Sequence, residues 1–422
     1  MIFKRKLYDK LLVWKQQTAG TKALLIEGAR RIGKSTLVEE FAKNEYRSYL
    51  MIDFNKVSDS VISAFNNYMN DLDTFFLILS SEYGVRLYPK ESIIIFDEIQ
   101  QFPKARQAIK YLVADGRFDY IETGSLISIK ENVNDITIPS EERTLLMYPM
   151  DFEEFAWAMN EEPLMAYIRQ CFDKKVPLEQ GIHAKAMLLF RQYMIVGGMP
   201  KSLSAYLENN RSFEMADMEK RDILTLYRND IKKIKSGYRS SVLSIFDQIP
   251  AFLSRSERRV VMNRIEKGAS FPKYHDTFFW LSDSMIANEC FNCSDPNVGL
   301  SLNEDRTYVK CYMGDTGLLI SHTFDENEIS DGELYREILL GKLSVNEGMF
   351  YENVIAQMLV AAGHKLYFYT RYNQEKHRND MEIDFILSNH SKLRYKIFPI
   401  EVKSNAVSYT HLRAHETRSN LV

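Results

Sequence analysis

An α/β architecture on a doubly wound parallel sheet follows from three features of this sequence. Gly28-Ala29-Arg30-Arg31-Ile32-Gly33-Lys34-Ser35 spells G-x-x-x-x-G-K-S, set between an apolar run, Ala23 to Ile26, and a stretch of helical spacing, Thr36 to Ala42. Further on, Ile93-Ile94-Ile95-Phe96 ends in Asp97-Glu98. An apolar run without alternation suits a strand buried on both faces of a parallel sheet. Strand-like and helical stretches alternate as far as residue 155, the pattern of parallel strands joined by crossover helices.

The loop carries the chemistry. Glycines at its two ends let the backbone curl so that successive N–H groups face phosphate oxygens, and the positive end of the following helix adds to the anion site. Gly28, Ala29, Arg30, Arg31, Ile32, Gly33, Lys34, Ser35 and Thr36 form the expected nucleotide cradle. Lys34 is expected to reach the β- and γ-phosphates, and the Ser35 hydroxyl to sit on Mg²⁺. Tyr49 to Phe54 reads as a short strand. Ligand groups in such sheets lie at the carboxyl ends of strands, where Asp97 would hold Mg²⁺ and Glu98 would orient and polarise the attacking water. Phe118 to Ser125 is a further strand. Its Thr123 or Ser125 could contact the γ-phosphate, and a plain strand-to-loop cap explains the same residues. Arg143 precedes the last strand and fits either a charge-stabilising catalytic arginine, in cis or on a neighbouring subunit, or a surface salt bridge.

With 422 residues, 45% of them hydrophobic and a net charge of −3, the chain has the composition of a multidomain globular protein. Lysines and arginines interrupt the apolar residues of the first seventeen positions, which reads as a surface helix rather than a signal peptide. No apolar run is long enough for a membrane span, and four cysteines suit a reducing compartment, so the expectation is cytoplasmic. Cys290, Cys293, Cys311 and His322 could be written as a zinc site, but a lone C-x-x-C favours buried, reduced thiols.

Taken together, Gly28 to Thr36, Phe96-Asp97-Glu98-Ile99-Gln100 and Thr123-Gly124-Ser125 resemble the AAA-type P-loop ATPases of bacteria and archaea that carry a C-terminal domain of unknown function. Tyr148 to Phe155, Gly197-Gly198-Met199-Pro200, Lys310-Cys311-Tyr312 and Asp315-Thr316-Gly317-Leu318 extend the resemblance over residues 15–405. It implies ATP and Mg²⁺ as cofactors and slow hydrolysis, with Lys34, Ser35, Asp97 and Glu98 in the roles above. The family usually has Gly before the arginine of the last strand, where this chain has Glu142.

The expected domains are an ATPase domain over 1–155, a helical connector or lid over 156–237, a winged-helix-like region over 238–300 and a small α/β domain over 301–406. Residues 151–235 have amphipathic helical spacing broken at Gly197-Gly198-Met199-Pro200. Residues 217–273 are locally basic, from Lys220, Arg221 and Arg228 through Lys235, Arg255 and Arg258 to Arg264, Lys267 and Lys273, with a turn expected at Gly268. Such a region can place a recognition helix on duplex DNA, but Phe278, Phe279 and Trp280 suit packing or a protein contact better than base reading.

In the last domain Glu352 lies on a helix, Asp384 on a strand, and Glu401 and Lys403 on another, an order that resembles the PD-(D/E)XK nuclease constellation. There Asp384 and Glu401 would ligate Mg²⁺, Glu352 would complete the cage and Lys403 would lie beside the attacking water, either for cleavage or for binding alone. Residues 407–422 have no periodicity that continues a fold and are expected to be a non-native tail.

Overall fold

Five parallel strands, β1 (Ala23–Glu27), β2 (Ser48–Asp53), β3 (Ser92–Asp97), β4 (Asp119–Gly124) and β5 (Glu142–Leu146), stand in the order β2-β3-β4-β1-β5. The computed structural model describes residues 1–125, 140–234, 238–255, 258–260, 271–296, 299–325, 333–341, 347–373, 378–388 and 397–403. Every residue of β3 is buried, as its unbroken apolar run predicts. Helices α1 (Leu7–Gln17) and α2 (Lys34–Glu45) cover one face, and α3 (Asp59–Asn67), α4 (Leu72–Tyr83) and α5 (Pro103–Asp115) cover the other, each closing its own apolar core. The chain crosses from β1 over β4 to reach β2 and β3. The carboxyl end of β4 therefore lies between the loop after β1 and the acids after β3. With strands about 4.8 Å apart, those two ends are brought to within roughly 10 Å.

Helices α6 (Phe152–Ala158), α7 (Glu162–Lys174), α8 (Gln180–Val196), α9 (Pro200–Glu208) and α10 (Phe213–Lys232) form the connector, as their spacing predicts. Asp151 and Glu154 close a capping box at the start of α6. Next come α11 (Arg239–Leu253), α12 (Phe271–Asp283), β6 (Ala287–Cys293), β7 (Glu304–Met313), α13 (Thr316–Thr323), α14 (Glu333–Leu340), α15 (Gly348–Ala361), β8 (Leu366–Asn373), β9 (Arg378–Ile383), β10 (Phe385–Ser388) and β11 (Ile397–Ile400).

The boundary and the wing change here, and the packing favoured for the aromatic helix is met. The boundary at 300/301 falls inside an antiparallel hairpin, β6 with β7. Because β6 also pairs in parallel with β8, the expected wing is built into a sheet of order β7-β6-β8-β9. The expected recognition helix is α12, whose Phe278, Trp280 and Leu281 are buried, leaving Phe279 exposed. Apolar residues at helical spacing have gone to the core rather than to a groove reader. Much of the basic region is also internal. Lys220 is fully buried, Arg221 pairs with Asp217 and Asp325, Arg228 with Asp247 and Asp325, and Arg258 with Glu352. Lys235, Arg264, Lys267, Gly268 and residues 407–422 lie outside the described residues, as does the side chain of Lys273.

Two motifs outside the first α/β domain, at Gly197-Gly198 and at Asp315-Thr316-Gly317-Leu318, meet at one junction. Gly198 N–H donates to Asp315 Oδ2 at 2.6 Å, and Asp315 Oδ1 caps α13 through Leu318 N–H at 3.0 Å. Tyr193 donates its hydroxyl to Met150 O at 2.8 Å and accepts from Gln357 Nε2 at 3.0 Å. A Cβ on Gly317 would lie 2.5 Å from Gly197 Cα, so both positions require glycine for backbones to touch. The first α/β domain, the helices after it and the C-terminal sheet are joined by buried hydrogen bonds rather than by a linker.

Candidate functional site: the loop between β1 and α2

The loop is shaped before any ligand is considered. Arg31 and Gly33 take positive φ of 68° and 90°, which turns the chain into α2. A Cβ on Gly28 would lie 2.4 Å from Met147 O, so only glycine fits where the loop leaves the sheet. Lys34 opens α2 and is buried, its Nζ donating to Gly28 O at 3.0 Å and Ala29 O at 2.9 Å. Burial pushes its pKa down to about 8, against the pull of Glu98 and Asp97 and with the help of Arg30. A buried ammonium whose acceptors are two carbonyls of a glycine loop could be complemented by an anion.

Ser35 Oγ donates to Asp97 Oδ1 at 2.8 Å, and Thr123 Oγ1, fully buried at the end of β4, donates to the same oxygen. The strand order explains the second contact, since β4 lies between β1 and β3. Ser35 and Asp97 present an oxygen donor set of the kind Mg²⁺ takes. Glu98 has left-handed φ of 56° at the turn after β3; its N–H donates to Thr123 Oγ1 at 3.3 Å and its carboxylate accepts from Gln100 Nε2. Glu98 and Ser125 share a cavity with Arg30. The far wall belongs to the connector and α12, through Tyr227, Asp230, Lys233 and Trp280.

On the other side of Gly33 and Thr36, a second cavity of about 330 Å³ is lined by Ile2, Phe3, Tyr8, Leu37 and Pro200 among others. Buried Arg5 fixes the N-terminal segment there, donating to Ile32 O at 3.0 Å and Tyr148 O at 2.6 Å and pairing with Glu154 at 3.2 Å.

Thus Gly28 to Thr36, Asp97, Glu98, Thr123 and Ser125 gather at one end of the sheet. Arg143 does not join them within its own chain. It pairs in register with Leu24, at the amino end of β1 and away from the loop, and its side chain is exposed on the edge strand. Asp230, Lys233, Pro200 and the N-terminal segment were invisible to sequence reasoning, because no local pattern ties them to the loop.

The C-terminal constellation resolves differently. Glu352 is fully buried on α15, but it accepts from Lys310 Nζ at 3.2 Å and from Tyr312 and pairs with Arg258. Asp384 lies at a bend between β9 and β10 and accepts Val402 N–H at 2.8 Å. Glu401 and Lys403 follow the end of β11 and pair with each other at 2.8 Å, both about half exposed. Among the described residues, no three His, Cys, Asp or Glu side chains converge to hold a metal. The expected cage is corrected by Lys310, a buried cation that occupies Glu352; a lysine inside the apolar run of β7 was its one sequence signal. Cys290, Cys293 and Cys311 are buried free thiols, and His322 stacks on Phe246 at 4.8 Å.

One family model agrees with this geometry. Residues 20–156 match the family model of an AAA domain. Residues 187–328 match a domain of unknown function, DUF8612, which spans both expected boundaries of the winged-helix region, and residues 347–419 match another, DUF4143. No curated protein matches the chain. Among solved structures, the Holliday junction branch migration motor RuvB of Thermotoga maritima is 12% identical, over 68% of this chain and 89% of its own, with a TM-score of 0.28. DnaA from Aquifex aeolicus, bound to AMPPCP, is 10% identical over 67% and 90%, with a TM-score of 0.26. Cdc6p from Pyrobaculum aerophilum is 11% identical over 80% and 93%, with a TM-score of 0.27. Scores this low carry no argument. The AAA-type fold of the first domain rests on its sheet order, its loop and the family match. No described helix is long and apolar enough to cross a membrane.

Proposed function

We propose that the chain is an ATPase in which Mg²⁺-dependent ATP hydrolysis switches the connector and C-terminal domains between conformations that bind duplex DNA or a protein partner. The observation that carries this reading is buried Lys34, held by loop carbonyls beside the Ser35–Asp97–Thr123 chain and Glu98. Backbone N–H groups of residues 28–36 hold phosphates, and Lys34 places its charge on the terminal ones. Ser35 and Asp97 would hold Mg²⁺, which supplies charge neutralisation on the phosphates when bound. Thr123 orients the Asp97 carboxylate, Gln100 orients that of Glu98, and Glu98 takes the proton of the attacking water. The apolar cavity beside Gly33 has the size and lining for a nucleobase. Switching is supported by the junction, where Gly198 and Asp315 couple the connector to α13.

The test is ATP binding and turnover with Mg²⁺, with and without duplex DNA. Lys34→Ala is expected to weaken binding by about 100-fold or more, and Glu98→Gln to keep binding while turnover falls by about 10²–10³. Full binding and turnover in both variants would remove the reading. Stimulation by DNA would identify the partner class, and unchanged turnover would direct the search to a protein.

A further inference from the structure

Arg30 stands in the middle of the phosphate loop, yet its side chain is held from across the cavity. Its Nη1 donates to both carboxylate oxygens of Asp230 at 2.7 Å, near the end of α10. Tyr227, one turn earlier on α10, donates its hydroxyl to Arg30 O at 3.3 Å. Half-burial works against the guanidinium charge, but Asp230 and then Glu98 raise its pKa above the ordinary value. The field of Arg30 also reaches Lys34. One cation is thus tied to the connector and lies within electrostatic reach of the two groups assigned to the terminal phosphate and its water.

We propose that the Arg30–Asp230 pair is a nucleotide-operated clasp: a triphosphate on the loop draws Arg30 onto phosphate oxygens and frees the end of α10. This rests on the reading of the loop as an ATP site. Phosphate offers Arg30 the same two-oxygen geometry as a carboxylate, with several negative charges in place of one. Asp230 is not stranded by the exchange, because Lys233 Nζ already donates to its Oδ1 at 3.0 Å. A partly buried carboxylate left without a cation would resist the change, and this one keeps a partner.

The consequence reaches the rest of the chain. Helix α10 has 20 residues and so spans about 30 Å. Farther along it, Asp217 accepts from Ser321 of α13, and Arg221 donates to Phe324 O at 3.1 Å. Movement where α10 meets the loop is therefore delivered to the element that Asp315 caps and to the sheet behind it.

The experiment titrates the full chain and its variants with the β,γ-methylene analogue of ATP and Mg²⁺, reading affinity by calorimetry and α10 by hydrogen exchange. In the parent chain the analogue is expected to speed exchange in the last two turns of α10. Asp230→Asn is expected to bind the analogue about tenfold more tightly and to show that faster exchange without it, whereas Asp230→Glu behaves as the parent. Arg30→Gln opens the clasp from the loop side, so α10 is expected to exchange fast with and without the analogue. Equal affinity in the parent and Asp230→Asn, together with α10 exchange that does not respond to the analogue, overturns the clasp alone. A response in Arg30→Gln identical to the parent's overturns it too. A parent chain that binds no analogue removes the ATP-site reading and the clasp with it.

Discussion

Lys34, at the start of α2, and Lys310, inside β7, are both buried lysines, and they have opposite surroundings. Lys34 donates to two loop carbonyls and, among the described residues, makes no ion pair. Lys310 sits between two carboxylates, Glu352 and Glu382, each at 3.2 Å. A buried ammonium without a counter-ion is destabilising, and its pKa falls, as that of Lys34 does to about 8. An anion placed beside it would remove that cost. A lysine already neutralised by two acids has no such demand and belongs to the architecture. The same distinction separates the two acid sets: Asp97 takes hydroxyl donors at the open end of a sheet, while Glu352 is closed in by Lys310, Tyr312 and Arg258.

Removal of Glu352 tests the buried pairing most directly. Glu352→Ala leaves Lys310 and Arg258 short of a partner and is expected to lower stability by about 3–5 kcal/mol, read from denaturant unfolding. An unchanged midpoint with loss of divalent-cation binding would restore the metal-site reading. At the junction, Gly317→Ala forces a methyl against the backbone of Gly197 and is expected to lower stability by about 1–3 kcal/mol, seen as a reduced Tm.

Burial, aided by Glu304, pushes the Glu289 carboxyl up to about 7. The folded chain therefore holds this proton to a higher pH than the unfolded one. Stability from this group is lost as pH rises from about 4.5 to about 7 and does not return above that. Glu289→Gln is expected to raise Tm at pH 8 by an amount equivalent to about 1–2 kcal/mol and to change little at pH 4. Equal shifts at both values would contradict this. The smallest effect belongs to Lys34→Met, expected to stabilise the nucleotide-free chain by about 1 kcal/mol at pH 7. Its gain should be full below about pH 8 and fade by about pH 10.5, where the lysine is neutral folded or unfolded. Destabilisation by Lys34→Met would make Lys34 architectural, like Lys310.

Legibility followed the distance along the chain over which each feature is specified. The loop 28–36 and the pair Asp97–Glu98 were readable because strand, turn and helix are contiguous and a buried parallel strand has an unmistakable composition. The connector helices were readable from apolar spacing. The C-terminal acids were readable as residue types in order, but their chemistry depends on Lys310 and Arg258, which enter from β7 and from the segment after α11. Arg143 followed the motif's position in the chain, whereas the register of β5 against β1 sets it away from the loop of its own chain.

Backbone curvature, strand burial and helix amphipathicity are written in neighbouring residues, so the glycine-rich loop, the acids at the end of β3 and the α/β class of the first domain are properties of this sequence alone. The Asp230 partner of Arg30, the apolar cavity beside Gly33, the pairing of β6 with β8 and the neutralisation of Glu352 were decided by tertiary structure. Each joins residues far apart in the chain, and only packing selects which charge meets which and which apolar face is covered.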